Sequence, residues 1–541
     1  MNNLEIEPFL PMNRTALLEE IQSDLQPWDV IVIGGGATGL GCALDSVTRG
    51  YRTLLLEQHD FAKGTSSRST KLVHGGVRYL KQGEISLVRE ALEERGRMRK
   101  NAPHLVHSRA FIIPGYRWWE KLFYGIGLTI YDLMAGTWRL GRSRILSRKE
   151  TLNALQTLEP FRLKGGVRYL DGQFDDARLA IDLMKTIHDH GGVALNYMRV
   201  TGLQKNENGK INGVHATDVE SGDVMTLKTR SVVNATGVFT DEIRKQVNTE
   251  KPDVIQASQG VHIVLDRSFF PGESALMIPK TEDGRVLFAV PWHNRVLIGT
   301  TDTPIDRPVL EPVPLQQELD FLLAHTARYL TRDPKPEDVR SIFTGLRPLV
   351  NRNPDESTKS LSRDHTILTD ESGLVTITGG KWTTYRRMAE ETIDHVIDTA
   401  GLEPRTCKTH ELSIHGSTSM EGADPEDPAE LYGSDKVSID ALERDHPEWA
   451  MPLHPDLPYK RSHVIWAVRH EMARTVEDVL ARRTRSLFLD SRASRAVAAD
   501  VAGWIATELG RDEAWMDQQL TDFDALLTAY EWPDTNGTKH S

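Results

Sequence analysis

Within thirty residues of Trp28 the chain carries, in order, an apolar run, a glycine turn, a helical stretch, a second apolar run and a carboxylate. Residues 30–33 predict a buried strand, and Gly34, Gly36 and Gly39 fill a G-x-G-x-x-G turn. Residues 37–50 predict a helix, and residues 53–56 a second strand that ends at Glu57, 23 positions after Gly34. Each part has a physical task in holding a dinucleotide. The glycines let backbone approach a pyrophosphate, the helix N-terminus offers unpaired N–H groups and partial positive charge, and the acid meets a ribose hydroxyl. A Rossmann-like βαβ unit at the front of the chain is therefore expected, with Gly34, Gly36, Gly39 and Glu57 on the cofactor.

A second block, residues 64–80, follows at once and reads GTSSRSTKLVHGGVRYL. A nicotinamide enzyme has no need of a Ser/Thr-rich loop directly after the ribose acid. Thr65, Ser66 and Ser67, then Lys71 and the His74-Gly75-Gly76 run, suit a segment that passes the pyrophosphate and continues toward a flavin ring. Asn234-Ala-Thr-Gly237 closes an apolar run, as does Gly379-Gly380-Lys381, which precedes Thr383, Thr384 and a helical stretch. Further motifs are Gly260-Val-His-Ile-Val264, Pro291-Trp292, Gly299-Thr-Thr-Asp302, Gly345-Leu-Arg-Pro-Leu349 and Ser362-Arg363-Asp364.

Across residues 28–400 this set resembles the FAD-dependent glycerol-3-phosphate dehydrogenases, within the D-amino-acid-oxidase-like flavoproteins. The wording is nearest the mitochondrial-type subgroup. The resemblance implies non-covalent FAD, held also by Gly237, Gly380, Lys381, Thr383 and Thr384, with the helix after Thr384 stabilising charge on a reduced ring. For a dianionic phosphate substrate it implies converging cations: Arg78 and Arg363 on the phosphate with Tyr79 beside them, and Arg347 and Lys381 nearer the carbinol and the flavin N5. His262 is the candidate base. Arg347 could instead lower the alcohol's pKa electrostatically, and the sequence does not decide which of the two dominates. The implied reaction is oxidation of sn-glycerol 3-phosphate to dihydroxyacetone phosphate, with electrons passed to a membrane quinone. An oxidase using oxygen, a flavin oxidase of amines or hydroxy acids, and a flavin-bearing protein without turnover are the alternatives.

Length and composition bound these readings. A chain of 541 residues exceeds one small core. The expected class is mixed α/β and α+β: an extension at 1–27, an oxidoreductase region at 28–400 and a helical cap at 401–541. Within the middle region, the FAD-binding part (28–110, 174–250, 345–400) interleaves with an antiparallel-sheet substrate part (111–173, 251–344). Helices are predicted near 84–100, 176–190, 316–330, 384–400, 463–485 and 494–509, and an exposed linker at 416–435. With 65 basic against 77 acidic residues the net charge is −12, which argues against nucleic acid. Two cysteines give no disulfide framework, and neither the pair His104 and His107 nor His188 and His190 has metal-ligand spacing, so no metal is expected.

No signal-peptide pattern and no spanning apolar run occur, which suits a cytoplasmic protein. Residues 116–138, however, hold seven aromatics with Arg117, Lys121 and Arg139 nearby. Such a stretch suits either an element lying among lipid headgroups or a core helix of the substrate part; the resemblance implies the former, and with it peripheral contact with the inner face of the cytoplasmic membrane. A homodimer is retained as one arrangement on which the sequence is silent.

Overall fold

The computed structural model describes residues 12–77, 83–279, 281, 284–350, 365–419, 424 and 427–533. Among them, two large sheets share the work. The first, of eight strands, has the order His365–Thr369, Leu374–Gly379, Val224–Asn234, Trp28–Ile33, Thr53–Leu56, Val193–Leu195, with Met198–Lys205 and Ile211–Asp218 extending from Val224–Asn234. Its central pairings are parallel, so both faces need cover. That need explains the unbroken apolar run Val30–Val32, which is fully buried. The helices Ala37–Thr48, Asp176–Asp189 and Tyr385–Ala400 belong to this half, and a Cβ on Gly41 would lie 3.0 Å from the Tyr385 ring, which leaves little room for a side chain between two of them.

The second sheet has ten strands and is largely antiparallel. One long strand, Ile255–Asp266, lies between Arg295–Gly299 and Val339–Val350. Alternation along it is decisive. Val261, Ile263 and Leu265 enter an apolar core with Leu319 and Leu322 of the helix Gln316–Ala327. Ser258, Gly260 and His262 lie on the opposite face.

The expected boundaries at 110/111 and 344/345 fall inside single strands, Val106–Gly115 and Val339–Val350, both of the second sheet. Strand pairing, not composition, sets where the two halves meet. The C-terminal helices form the expected cap, and Val464, Leu480, Leu487 and Phe488 share a core with Val264, Trp292, Leu297 and Phe343.

Two further expectations are corrected. The continuous helix at 463–485 is instead Arg461–His470, a break at Met472 with φ of 53°, a π-helical turn Asp478–Arg483 and a short helix Ser486–Leu489. Polar partners override the apolar period here. Arg483 donates to both oxygens of Asp60 (2.7 and 2.9 Å), Arg482 also reaches Asp60, and Arg482 pairs with Asp478 at 2.6 Å. Burial alone would raise the Asp60 pKa, yet Arg483 and Arg482 bring it down to about 2. The stretch 416–435 is not simply an exposed linker either. Tyr432 and Asp435 are buried, and Asp435 accepts from Lys185 and His415.

His415 is held between Asp189 (2.7 Å) and Asp435 (3.1 Å). Burial opposes its charge, but the two carboxylates raise its pKa to about 9. A folded pKa above the unfolded value near 6.5 means that this contribution is complete below pH 6.5 and is lost as pH rises through 9. The linked stability is on the order of 2–3 kcal/mol. We expect the melting temperature to fall between pH 7 and 9.5, and the His415→Gln protein to show a flatter slope over that interval by calorimetry.

No described helix is long and apolar enough to cross a membrane. The helix Trp118–Met134 nevertheless turns an apolar face outward. Trp118 is 71 % and Leu133 70 % exposed, with Trp119, Leu122, Phe123, Ile126 and Ile130 between them at helical spacing. Its other face buries Leu128 and Tyr131.

Candidate active site

The glycine turn has the tight geometry its spacing predicts. Gly34 has φ of 109°, and a Cβ there would meet the Ala235 carbonyl oxygen at 2.7 Å. A Cβ on Gly39 would lie 1.8 Å from the Gly34 carbonyl oxygen, so the first turn of Ala37–Thr48 closes only with glycine at that position. Glu57 accepts from Gly35 N–H (2.6 Å) and His59 N–H (2.8 Å). Burial raises its pKa, with those two bonds opposing.

A cavity of about 530 Å³ begins at this turn. It is lined by Gly34, Gly36, Glu57, Thr65, Ser66, Gly237, Gly380 and Lys381 from the expected set. Arg199, Thr236, Pro348 and Trp382 join them. Gly39 supports this wall by packing, and Ser67 is buried behind it, its carbonyl oxygen taken by Lys71 and Arg485. Thr383 and Thr384 are absent from the wall; Thr383 Oγ1 accepts from His74 N–H at 3.3 Å and so joins two loops.

Lys71 is the clear departure from expectation. Its backbone is left-handed (φ 62°) and its side chain is fully buried away from the cavity. The ammonium donates to Asp176 Oδ2 (2.7 Å) and to the Ser67 and Ser69 carbonyl oxygens. Closeness in sequence to Thr65–Ser67 says nothing about this reversal.

A second cavity, of about 210 Å³, is lined by Arg347, whose neighbour Pro348 on the same strand lines the first. Its wall includes Thr70, His74, Tyr169, Arg285, Thr300, Asp302 and Arg347. The Arg347 guanidinium donates to Thr300 Oγ1 (3.1 Å), Thr301 O (3.0 Å), Gln259 O (3.3 Å) and Asp302 Oδ1 (3.3 Å). Gly260 makes this possible: a Cβ there would sit 2.3 Å from Arg347 Nη2.

His262 is paired across the sheet with Gly299 on one side and Phe343 on the other. A Cβ on Gly299 would lie 2.2 Å from the imidazole, which explains why glycine begins the Gly299-Thr-Thr-Asp302 motif. The ring is buried behind the cavity and reaches it through Thr70, whose Oγ1 lies 2.9 Å from Nε2. Burial, then Lys71 and Arg347, hold its pKa well below the usual range, so the ring is neutral. Arg78, Tyr79 and Arg363 lie outside the described residues. His74, Thr70 and Arg285 were not singled out in the sequence as lining a substrate cavity; the paired glycines after His74 were the available signal.

The fit to a dinucleotide is geometric: a glycine cradle that side chains would fill, a helix N-terminus and a half-buried carboxylate converge on one cavity. Residues 29–386 match the family described as FAD dependent oxidoreductase, and residues 374–516 match the C-terminal domain of alpha-glycerophosphate oxidase. A probable mitochondrial glycerol-3-phosphate dehydrogenase of Caenorhabditis elegans is 39% identical over 524 residues, covering 92% of this chain and 72% of its own. For the mitochondrial glycerol-3-phosphate dehydrogenase of Arabidopsis thaliana the identity is 38% over 567 residues, covering 97% and 89%. The solved glycerol-3-phosphate dehydrogenase from Bacillus halodurans, complexed with FAD, superposes with a TM-score of 0.78 at 30% identity, covering 97% and 99%. The chain belongs to the FAD-dependent glycerol-3-phosphate dehydrogenases. Its cofactor is FAD. In this flavoprotein the larger cavity carries the glycine turn and Glu57, and the smaller one is lined by Arg347.

Proposed function

We propose that this flavoprotein oxidises sn-glycerol 3-phosphate to dihydroxyacetone phosphate and passes the electrons to a membrane quinone. The observation that carries the reading is Arg347, whose guanidinium is held by Asp302 in the wall of a cavity separate from the one that carries the glycine turn. Bound FAD supplies the two-electron acceptor. The chain's own residues do the rest. Arg285 and Arg347 offer fixed cations to an anionic substrate, and Arg78, Tyr79 and Arg363 are assigned to the phosphate by their motifs. Arg347 stabilises negative charge developing on the carbinol oxygen. His262, neutral and joined to the cavity through Thr70, takes the hydroxyl proton. Lys381 lines the dinucleotide cavity, and its motif assigns it to the flavin N5. His74 stands directly in the cavity wall and is the alternative proton acceptor.

The quinone assignment draws on the outward apolar face of Trp118–Met134, which suits a peripheral element in lipid headgroups. The deciding experiment is anaerobic. Substrate added to the purified protein should bleach the flavin, and a quinone analogue should restore its colour faster than oxygen does. Fast reoxidation by oxygen would make the protein an oxidase, and an unbleached flavin would remove the substrate assignment. The double substitution Trp118→Ser with Trp119→Ser should abolish sedimentation with anionic vesicles while turnover with a soluble dye persists. Unchanged sedimentation would remove the membrane face.

A further inference from the structure

Lys71 is a buried charged group that the reaction above leaves idle. Its side chain is wholly inaccessible, and its ammonium is moored on Asp176 Oδ2 at 2.7 Å, Ser67 O at 2.8 Å and Ser69 O at 3.1 Å. The same ammonium lies 5.0 Å from the centre of the Phe343 ring. Phe343 is stacked on the His262 imidazole, with ring centres 4.7 Å apart and planes within 13°. His262 Nε2 meets the Thr70 hydroxyl at 2.9 Å, and its buried Nδ1 makes no hydrogen bond. Thr70 and Lys71 are consecutive. One turn of chain therefore brings a hydroxyl to the cavity side of His262 and a cation to the neighbourhood of the aromatic ring stacked on it.

We propose that Lys71 is a positioning residue for His262, governing through its charge when the imidazole can take the proton that the Thr70 hydroxyl carries over from the cavity. The proposal rests on the reading of His262 as proton acceptor. In that step the substrate O–H bond breaks toward Thr70 Oγ1, and Thr70 passes its own proton to His262 Nε2, so the hydroxyl is restored. Bound FAD would supply the acceptor for the C2 hydrogen with the electron pair of its C–H bond, and a carbonyl would remain. The site gains one imidazolium.

The charges decide how easily it does so. The ionised groups that act on His262 are Lys71, from the Ser/Thr-rich loop, and Arg347, from Val339–Val350; its partner on Arg295–Gly299 is Gly299, which has no side chain. Lys71 in turn faces Asp176 and Asp175 at the start of Asp176–Asp189, and Arg485 before Ser486–Leu489. A third cation at His262 is repelled while Lys71 is protonated. Burial, reinforced by Arg485 and opposed by Asp176, pushes the Lys71 pKa down to about 7. Below that pH His262 is a poor acceptor, and above it the repulsion from Lys71 is gone.

The test compares flavin reduction by substrate in stopped flow from pH 6 to 9. The parent rate should rise through about pH 7. In Lys71→Arg, whose cation does not titrate, the rate should stay at the low-pH level throughout. In Lys71→Met with Asp176→Asn, which removes both members of the ion pair and leaves Arg485 the Asp175 carboxylate, the rise should vanish and the rate should sit on the upper plateau. A second readout is independent of turnover. In holoenzyme with isotope-labelled histidine, the His262 NMR signal, assigned by its loss in His262→Gln, should titrate about one pH unit higher in the double variant. Parent-like pH profiles together with an unmoved His262 signal would reduce Lys71 to a structural ion pair and overturn the proposal. If Lys71→Arg does not fold, the double variant decides. Full activity in His262→Gln would instead sink the reading of His262 as acceptor, while the NMR titration would still report on Lys71.

Discussion

Replacing Arg347 with alanine is expected to lower kcat/KM for sn-glycerol 3-phosphate by about 10³-fold while FAD stays bound at one per chain. The guanidinium is fixed by four hydrogen bonds, to Gln259 O, Thr300 Oγ1, Thr301 O and Asp302 Oδ1. Ser258 holds the Asp302 carboxylate in turn. A cation so fixed needs no reorganisation when negative charge grows on the carbinol oxygen, which is where electrostatic stabilisation is most effective. Arg347→Lys should recover only part of the loss, because a point charge cannot keep the forked contacts to Thr300, Thr301 and Asp302. Flavin reduction in stopped flow, read beside the flavin content, separates loss of chemistry from loss of cofactor. An Arg347→Ala protein within tenfold of the parent would remove Arg347 from the chemistry.

The second large effect concerns the cofactor itself. Gly39→Ala would place a methyl group 1.8 Å from the Gly34 carbonyl oxygen. The start of Ala37–Thr48 must then move away from the turn by more than an ångström before the contact becomes tolerable. That displacement withdraws the N–H groups that face a pyrophosphate. We expect FAD affinity to drop at least about 10²-fold, some 2.7 kcal/mol, in a chain whose far-ultraviolet circular dichroism still reports a folded protein. The ratio of flavin to protein after gel filtration measures this directly. Stoichiometric FAD in Gly39→Ala would place the pyrophosphate somewhere other than this turn.

The dinucleotide half could be read from the sequence because its signals are local. Strand, glycine turn, helix and acid succeed one another within thirty residues, and each is shaped by its neighbours in the chain. The substrate half was legible only as motifs. Why Gly260 precedes His262, or Gly299 opens its motif, depends on strands that pair across 37 to 89 positions, such as His262 with Gly299 and Ser258 with Arg347. Nothing along the chain says that Gly260 clears the space for Arg347. Lys71 shows the opposite failure: a residue beside the cofactor loop in sequence turns inward because Asp176 lies there. The C-terminal helices were foreseen by their apolar period, but not the break after His470, where Arg482 and Arg483 follow their carboxylate partners instead.

The tie between Asp60 and the arginines Arg482 and Arg483 also has a bearing on how the protein is made. Asp60 leaves the ribosome 422 residues ahead of its first arginine partner. At roughly 5–20 residues per second, the interval is about 20–80 s. Through that time the segment between the ribose acid and the Ser/Thr-rich loop carries a carboxylate with no counter-charge to bury beside. The nascent chain therefore cannot finish the wall of its own cofactor chamber, and the flavin enters a protein whose synthesis is nearly complete. A ribosome stalled with residues 1–450 exposed should accordingly capture no FAD, and one stalled after residue 533 should.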